Sequence, residues 1–257
     1  MVTIIEAILL AVIQGLTEWL PVSSSGHLVI AQTFLGLNPP LIFDVMLHFG
    51  TLIVVLVMFR NDILAILKAL LKRDFNTDDG KLSLHIIVGS VPIAVIGVTF
   101  YSEITSLFSN LFAVSIALLI TGCVLFISEK RLGYKKMGIF DSVFIGLAQG
   151  VAIVPGISRS GLTISFGLLR KIEKTTAFRY SFLLSVPAIV GATAMELKDL
   201  VLGTVDLLPV IVGVIVSMLV GYASLKLLQK IVLSEKFHLF AYYCWAVGVV
   251  LILYMLL

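Results

Sequence analysis

The chain has 257 residues, 60% of them apolar and only 13% charged, with a formal net charge of +3 and a mean hydropathy of +1.13. A soluble domain carries about 25% charged residues, so roughly half of the usual water-facing charge is missing and a soluble globular domain is excluded. The basic residues sit in short segments between apolar runs and form no basic face, which excludes a nucleic-acid-binding module. The two cysteines, Cys123 and Cys244, lie inside apolar runs and read as core residues, not as a disulfide or metal pair. The first basic residue is Arg60, so the charged start of a cleavable signal peptide is not expected.

In chain order, residues 3–35 form an apolar stretch interrupted at 21–26 by Pro-Val-Ser-Ser-Ser-Gly. A helix needs about 20 residues to cross a ~30 Å hydrocarbon core. The arms here are shorter, so a re-entrant helix–loop–helix is expected, its irregular backbone tolerated where protein encloses it or it lines a cavity. Spans are expected at 41–60, 83–101 and 111–128, with a polar connection at 61–82 between the first two. Within it, 61–73 reads as an amphipathic surface helix whose Lys68, Lys72 and Arg73 lie near lipid headgroups. A second interrupted stretch follows at 139–169, broken at 155–161 by Pro-Gly-Ile-Ser-Arg-Ser-Gly. Three more spans are expected at 175–196, 204–225 and 238–257. The fold class is an all-α integral membrane domain over 1–257: six transmembrane helices plus two re-entrant hairpins.

The two interrupted stretches are related. A shift of 135 places Gln14-Gly15 on Gln149-Gly150, Ser23 on Ser158, Ser25 on Ser160, Gly26 on Gly161 and Phe43 on Phe178, with Glu6 on Asp141 as a similar pair. Each repeat, about 1–128 and about 139–257, is then one hairpin followed by three spans. Three is odd, so the second copy is inverted, an arrangement that commonly sets a site near the midplane. Sixteen of the eighteen Lys and Arg residues fall in or beside the connections on one side; the exceptions are Lys198 and Arg159. Positive connections stay cytoplasmic, so both termini are expected outside, in the plasma membrane.

The chemistry-bearing residues concentrate at the two breaks. Gln14 and Glu18 are i,i+4 and share a helix face. Ser23, Ser24, Ser25, Gly26 and His27 open the second arm of the first hairpin. The other tip offers Ser158, Arg159, Ser160 and Gly161, with Thr163 close behind. Free N–H groups at helix starts suit phosphate, and Arg159 adds a planar, permanently charged fork. Two such tips meeting would make an anion site beside a hydroxyl, an imidazole and a carboxylate. An arginine or glutamate in a membrane segment costs about 2.5–3.5 kcal/mol, which argues for function at Glu18 and Arg159. Asp44 and His48, also i,i+4, read equally well as a solvated interfacial pair, and His85 and His238 as interfacial.

The run at 14–27, Gln-Gly-Leu-Thr-Glu-Trp-Leu-Pro-Val-Ser-Ser-Ser-Gly-His, together with 155–161, closely resembles the undecaprenyl-diphosphate phosphatases of the bacitracin-resistance type. The resemblance spans the chain. It implies hydrolysis of a long polyisoprenyl diphosphate to the monophosphate carrier lipid and inorganic phosphate, a divalent cation (Mg²⁺ or Ca²⁺), and a site open to the external face. Its functional residues fall on Glu18, Ser24, His27 and Arg159. Ser24 is expected as nucleophile and His27 as base, though either side chain could attack phosphorus. Glu18 would orient His27 or hold the cation with Gln14, a position where the family often has a glutamate. The phosphate would be bound by Gln14, Ser23, Ser25, Gly26, Ser158, Ser160, Gly161 and Thr163. A polyprenyl-phosphate flippase using the same anion site is the alternative, and a homodimer is left open.

Overall fold

The structure, a computed structural model, describes residues 2–128, 133–196, 206–234 and 236–257. Lys198, residues 204–205 and the start of the basic 129–138 connection lie outside the described residues. The described residues form twelve helices and no strand.

Helix α1 (Ile4–Trp19) starts from a capping box in which Thr3 Oγ1 accepts from Glu6 N–H at 3.3 Å and Glu6 Oε2 accepts from Thr3 N–H at 2.8 Å. It stops where Pro21 forces Leu20 into extended backbone. Ser23 then takes φ +71° and caps α2 (Ser24–Leu35), its Oγ accepting from Gly26 N–H at 3.2 Å. A left-handed Gly36 ends α2. Next come α3 (Leu41–Met58), the amphipathic α4 (Arg60–Lys72), α5 (Asp78–Thr99), α6 (Tyr101–Leu107) and α7 (Leu111–Ser128). The second half repeats the opening: α8 (Ile139–Val151), a break, then α9 (Arg159–Leu169) capped by Ser158, whose Oγ accepts from Gly161 N–H at 3.1 Å. It closes with α10 (Lys174–Glu196), α11 (Leu207–Leu233) and α12 (Leu239–Leu256).

Six of these, α3, α5, α7, α10, α11 and α12, are long and apolar enough to cross a membrane, matching the six expected spans. Their ends differ from expectation. Thr77 caps α5 at Gly80, five residues before the expected start, and α11 runs on through Lys226 and Lys230 because solvated lysines are good helix formers. The short helix α6 was not expected. At 1.5 Å per residue, α1, α2, α8 and α9, of 16, 12, 13 and 11 residues, each fall short of a ~30 Å hydrocarbon core.

Packing crosses between the halves of the chain. Helix α1 lies along α11, and α8 lies along α5. These pairs approach closely because small residues line them. A Cβ on Gly15 would stand 2.8 Å from Val220 Cβ, and one on Gly146 would stand 2.4 Å from the Gly89 carbonyl oxygen. Buried hydroxyls add interhelical bonds: Ser224 of α11 donates to the Leu16 carbonyl of α1 at 2.7 Å, and Tyr180 of α10 donates to the His85 carbonyl of α5 at 2.7 Å. Trp19, Phe59, Phe178 and Phe182 form the central aromatic core beneath the breaks.

Because backbone fills the space beside Gly146, Gly146→Val should cost about 1–3 kcal/mol or more through overpacking. A thermal melt in detergent should fall by several degrees. Gly191→Ala, inside α10 where an added Cβ meets nothing within 4 Å, should leave the melt unchanged or raise it slightly, because alanine is the better helix former.

Candidate active site

The two breaks meet. Gly156 N–H donates to Ser23 Oγ at 3.0 Å across 133 residues of chain. A Cβ on Gly26 would lie 2.9 Å from Gly156 Cα, so the backbones touch because residue 26 is glycine, while Gly156, at φ +97°, needs its own missing Cβ to fit against Val114 of α7. The serine pairs have the same local geometry: Ser23 Oγ and Ser25 Oγ are 3.3 Å apart, as are Ser158 Oγ and Ser160 Oγ. Helix α7 braces the second break, with Thr121 Oγ1 donating to the Gly156 carbonyl at 3.0 Å and accepting from Ser158 N–H at 3.1 Å.

Glu18 sits at the centre and is buried. One carboxylate oxygen, Oε2, accepts from Ser24 Oγ at 2.6 Å and from Gln14 Nε2 at 2.9 Å. The other, Oε1, is paired with Arg159 Nη2, so the last turn of α1 is tied to the first residue of α9. The Arg159 guanidinium lies 5.4 Å from the centroid of the Trp19 ring, and its Nη1 is buried without a partner. From α3, His48 Nε2 approaches Glu18 Oε2 at 3.4 Å while its Nδ1 donates to the Asp44 carbonyl at 2.8 Å. Asp44 in turn accepts from Gln32 Nε2 at 2.9 Å.

These groups face a cavity of about 660 Å³. Glu18, Ser23, Ser24, Ser25, Ser158 and Arg159 form its polar end, with Asp44, His48 and Gln149 alongside. The remaining wall is apolar, supplied by Ile93, Val98, Phe108, Ile153 and Ile189 among others. Helix α6 and its C-cap contribute to that wall, which gives the unexpected element a place in the site.

The structure brings together Gln14, Glu18, Ser23, Ser24, Ser25, Ser158, Ser160 and Arg159, and Gly26 and Gly161 supply capped helix-start amides. Thr163 is turned inward, its hydroxyl donating to the Arg159 carbonyl at 2.8 Å and lying 2.5 Å from Ser181 Oγ. His27 is not brought to Ser24. Its Nδ1 donates to the Ser23 carbonyl at 2.7 Å, its Nε2 accepts from Tyr243 at 2.8 Å, and the ring stacks on Tyr243. The imidazole beside Glu18 is that of His48. The i,i+4 spacing of Asp44 and His48 was the signal for it, but spacing alone leaves a solvated pair equally open. His85 is likewise engaged between helices, its Nδ1 2.5 Å from Ser142 Oγ.

The donors do not fit a resident divalent cation at Glu18 and Gln14. Both Glu18 oxygens are occupied by protein donors, and Gln14 presents its N–H, leaving its Oε1 buried and unpartnered. Among the described residues, no three His, Cys, Asp or Glu side chains converge as a metal cage.

The family model described as Bacitracin resistance protein BacA matches residues 7–250. The chain belongs to the BacA family. It is 43% identical over 257 residues to the undecaprenyl-diphosphatase of Carboxydothermus hydrogenoformans, covering 96% of this chain and 95% of the relative. The undecaprenyl-diphosphatase of Halothermothrix orenii is 44% identical over 258 residues, with 97% of each chain covered. That of Methanobrevibacter smithii is 39% identical over 267 residues, with 96% of each covered. Similarity on this scale runs from α1 to α12, so it takes in both breaks and every helix around the BacA-family cavity.

Ser23 is the hinge pin of the site, since its Oγ accepts from both Gly26 and Gly156. Ser23→Ala leaves the Gly156 N–H buried without an acceptor, at a cost of about 1–3 kcal/mol. A melt in detergent should drop, and Ser23→Thr, which keeps the oxygen, should recover part of the loss.

Proposed function

We propose that this chain is a membrane phosphatase that hydrolyses a long-chain polyisoprenyl (undecaprenyl) diphosphate. Its products are the monophosphate and inorganic phosphate, so it recycles the carrier lipid for envelope glycan synthesis and confers bacitracin resistance. The observation that carries this reading is the Ser24–Glu18–Arg159 constellation, built where the two breaks meet, at the polar end of an otherwise apolar cavity. An apolar wall suits an isoprenoid tail, each buried CH₂ contributing about 0.8 kcal/mol.

Ser24 Oγ attacks the terminal phosphorus while its proton passes to Glu18 Oε2, 2.6 Å away. His48 stands beside the carboxylate, with Nδ1 fixed on the Asp44 carbonyl and Nε2 free to share that proton. Arg159, whose Nη1 has no partner among the described residues, and the helix-start amides of α2 and α9 stabilise the charge on the transferring phosphoryl group. The lipid monophosphate leaves, and water hydrolyses the phosphoserine. His27 is assigned to holding the first break against Tyr243. A divalent cation, expected for the family, would come in on the diphosphate's own oxygens, which supply the ligands the protein lacks. A flippase using the same anion site needs no serine hydrogen-bonded to a buried carboxylate, so that alternative is not favoured.

The architecture proposed is one membrane domain of two inverted repeats, about 1–128 and about 139–257, each opening with a re-entrant hairpin. Three features support it. The break sequences correspond, their serine caps make the same hydrogen bond to the glycine three residues on, and the packing is reciprocal: α1 on α11, and α8 on α5. The basic-residue distribution supports external termini and a site facing outward.

With protein purified in detergent and undecaprenyl diphosphate as substrate, phosphate release should be abolished in Ser24→Ala. It should fall by about 10²-fold or more in Arg159→Lys, which keeps the charge and loses the fork. His48→Ala should lower turnover more than His27→Ala at equal folded fraction; the reverse order would return the proton to His27. Absence of phosphate release by the unaltered protein would overturn the phosphatase reading.

Orientation has its own test. In a Cys123→Ser background, a cysteine at Thr105 should react with an impermeant thiol reagent in intact cells and one at Tyr134 should not. Labelling at Tyr134 with protection at Thr105 would invert the topology.

A further inference from the structure

Gln149, near the end of α8, is fully buried and lines the cavity with Ser24, Ser158 and Arg159. Neither its Nε2 nor its Oε1 has a hydrogen-bond partner among the described residues. Its counterpart in the first half, Gln14, donates to Glu18 one turn further on. One turn beyond Gln149 the chain has Ile153 instead, which offers no acceptor. A buried amide with both ends unpaired is destabilising, and a leucine would fill the same volume without that penalty. The amide is therefore explained by a ligand it meets in the working enzyme.

The unpaired groups define that ligand. Arg159 Nη1 and Gln149 Nε2 are donors without acceptors, and Gln149 Oε1 is an acceptor without a donor. A phosphoryl group satisfies donors only. Water satisfies an amide at both ends, accepting from Nε2 and donating to Oε1. We infer that Gln149 is the positioning residue for the water that hydrolyses the phosphoserine formed at Ser24, while Arg159 holds the phosphoryl group.

This rests on the serine-nucleophile reading above. Ser24 belongs to the first broken unit, and Gln149 and Arg159 to the second. A phosphoryl group on Ser24 and clamped by Arg159 thus has Gln149 on the face supplied by the second unit. In-line displacement puts the attacking water opposite Ser24 Oγ, in the space the departing lipid phosphate leaves. The water oxygen bonds to phosphorus as the phosphorus–Ser24 Oγ bond breaks. Ser24 recovers its proton from Glu18, and both water hydrogens leave with the product as dihydrogen phosphate. Gln149 exchanges no proton; it orients.

The test is rapid-quench kinetics on the full chain in detergent, with undecaprenyl diphosphate as substrate. Gln149→Leu should release one lipid monophosphate per enzyme in a fast burst. Steady turnover should then be slowed about 10²-fold, and phosphoserine at Ser24 should accumulate to a level detectable by mass spectrometry. Gln149→Glu, which keeps an acceptor for the water, should shorten the life of that phosphoenzyme relative to Gln149→Leu. Loss of the burst with a raised KM would make Gln149 a substrate-binding residue and overturn the inference, as would unchanged turnover. The serine reading is checked separately with a terminal phosphate made chiral at phosphorus, on the unaltered protein. Two displacements predict retention. Inversion would overturn the serine reading and this inference together, whereas retention without accumulation of phosphoserine in Gln149→Leu would overturn the inference alone.

Discussion

The pairing of Glu18 with Arg159 is the constraint on which the rest of this structure depends. Each charge lies in a short helix set among membrane spans, and neither is tolerable there alone: leaving one partner of a buried pair unmatched costs about 3–5 kcal/mol. The two residues are 141 apart in sequence, one in the last turn of α1 and the other the first residue of α9. They meet only if both apolar stretches stop where they do. Pro21 and the Pro155-Gly156 turn set those stops, and the Ser23–Gly156 hydrogen bond holds them in register. A cation at a helix N-terminus opposes the helix dipole. Arg159 therefore makes the start of α9 strongly electropositive, with one carboxylate to balance it. A site in that state has unspent positive potential, which is what a diphosphate needs.

The same constraint accounts for the position of the cavity. With most polar groups drawn to the junction of the breaks and the adjoining turn of α3, the neighbouring faces of α5 and α10 are left mostly apolar, and α6 closes part of the wall. An amphiphile with an anionic head and a hydrocarbon tail matches both ends at once. The polar end lies among buried groups, where a lowered local dielectric strengthens each hydrogen bond to an anionic head, and a soluble phosphate ester would gain nothing from the apolar wall. The small-residue seams along α11 and α5 are what allow α1 and α8 to lie close enough to present their ends to one another.

Much of this was legible in the sequence because it depends on local chemistry. The six spans follow from apolar run length, and the breaks from Pro, Ser and Gly clusters. Within the site, Glu18, Ser24 and Arg159 stood out because a charge or a serine cluster inside a membrane segment has few structural explanations. The two histidines were not legible in the same way. Which of His27 and His48 approaches Glu18 is decided by how α3 and α12 pack around the first break, a tertiary fact with no sequence period. His27 is next to the serines in the chain yet turned to Tyr243, while His48, thirty residues downstream of Glu18, is at its side. Gln149 was visible only as a repeat match, since its lack of a partner is a property of the packed cavity.

The amide at position 14 follows from the electrostatics of Glu18. A second carboxylate one turn before Glu18, in the same buried space and opposite one arginine, would face like-charge repulsion on top of desolvation. It could persist there comfortably only as the protonated acid, donating a hydrogen bond to its neighbour. Gln14 does the same thing without needing a proton: its Nε2 donates to Glu18 Oε2 at 2.9 Å, on the oxygen that also receives Ser24. The amide and the Ser24 hydroxyl therefore share one carboxylate oxygen, and Oε1 is left to Arg159. Gln14 thus meets one requirement of the packed site, a single negative charge at Glu18 with a neutral donor at its back.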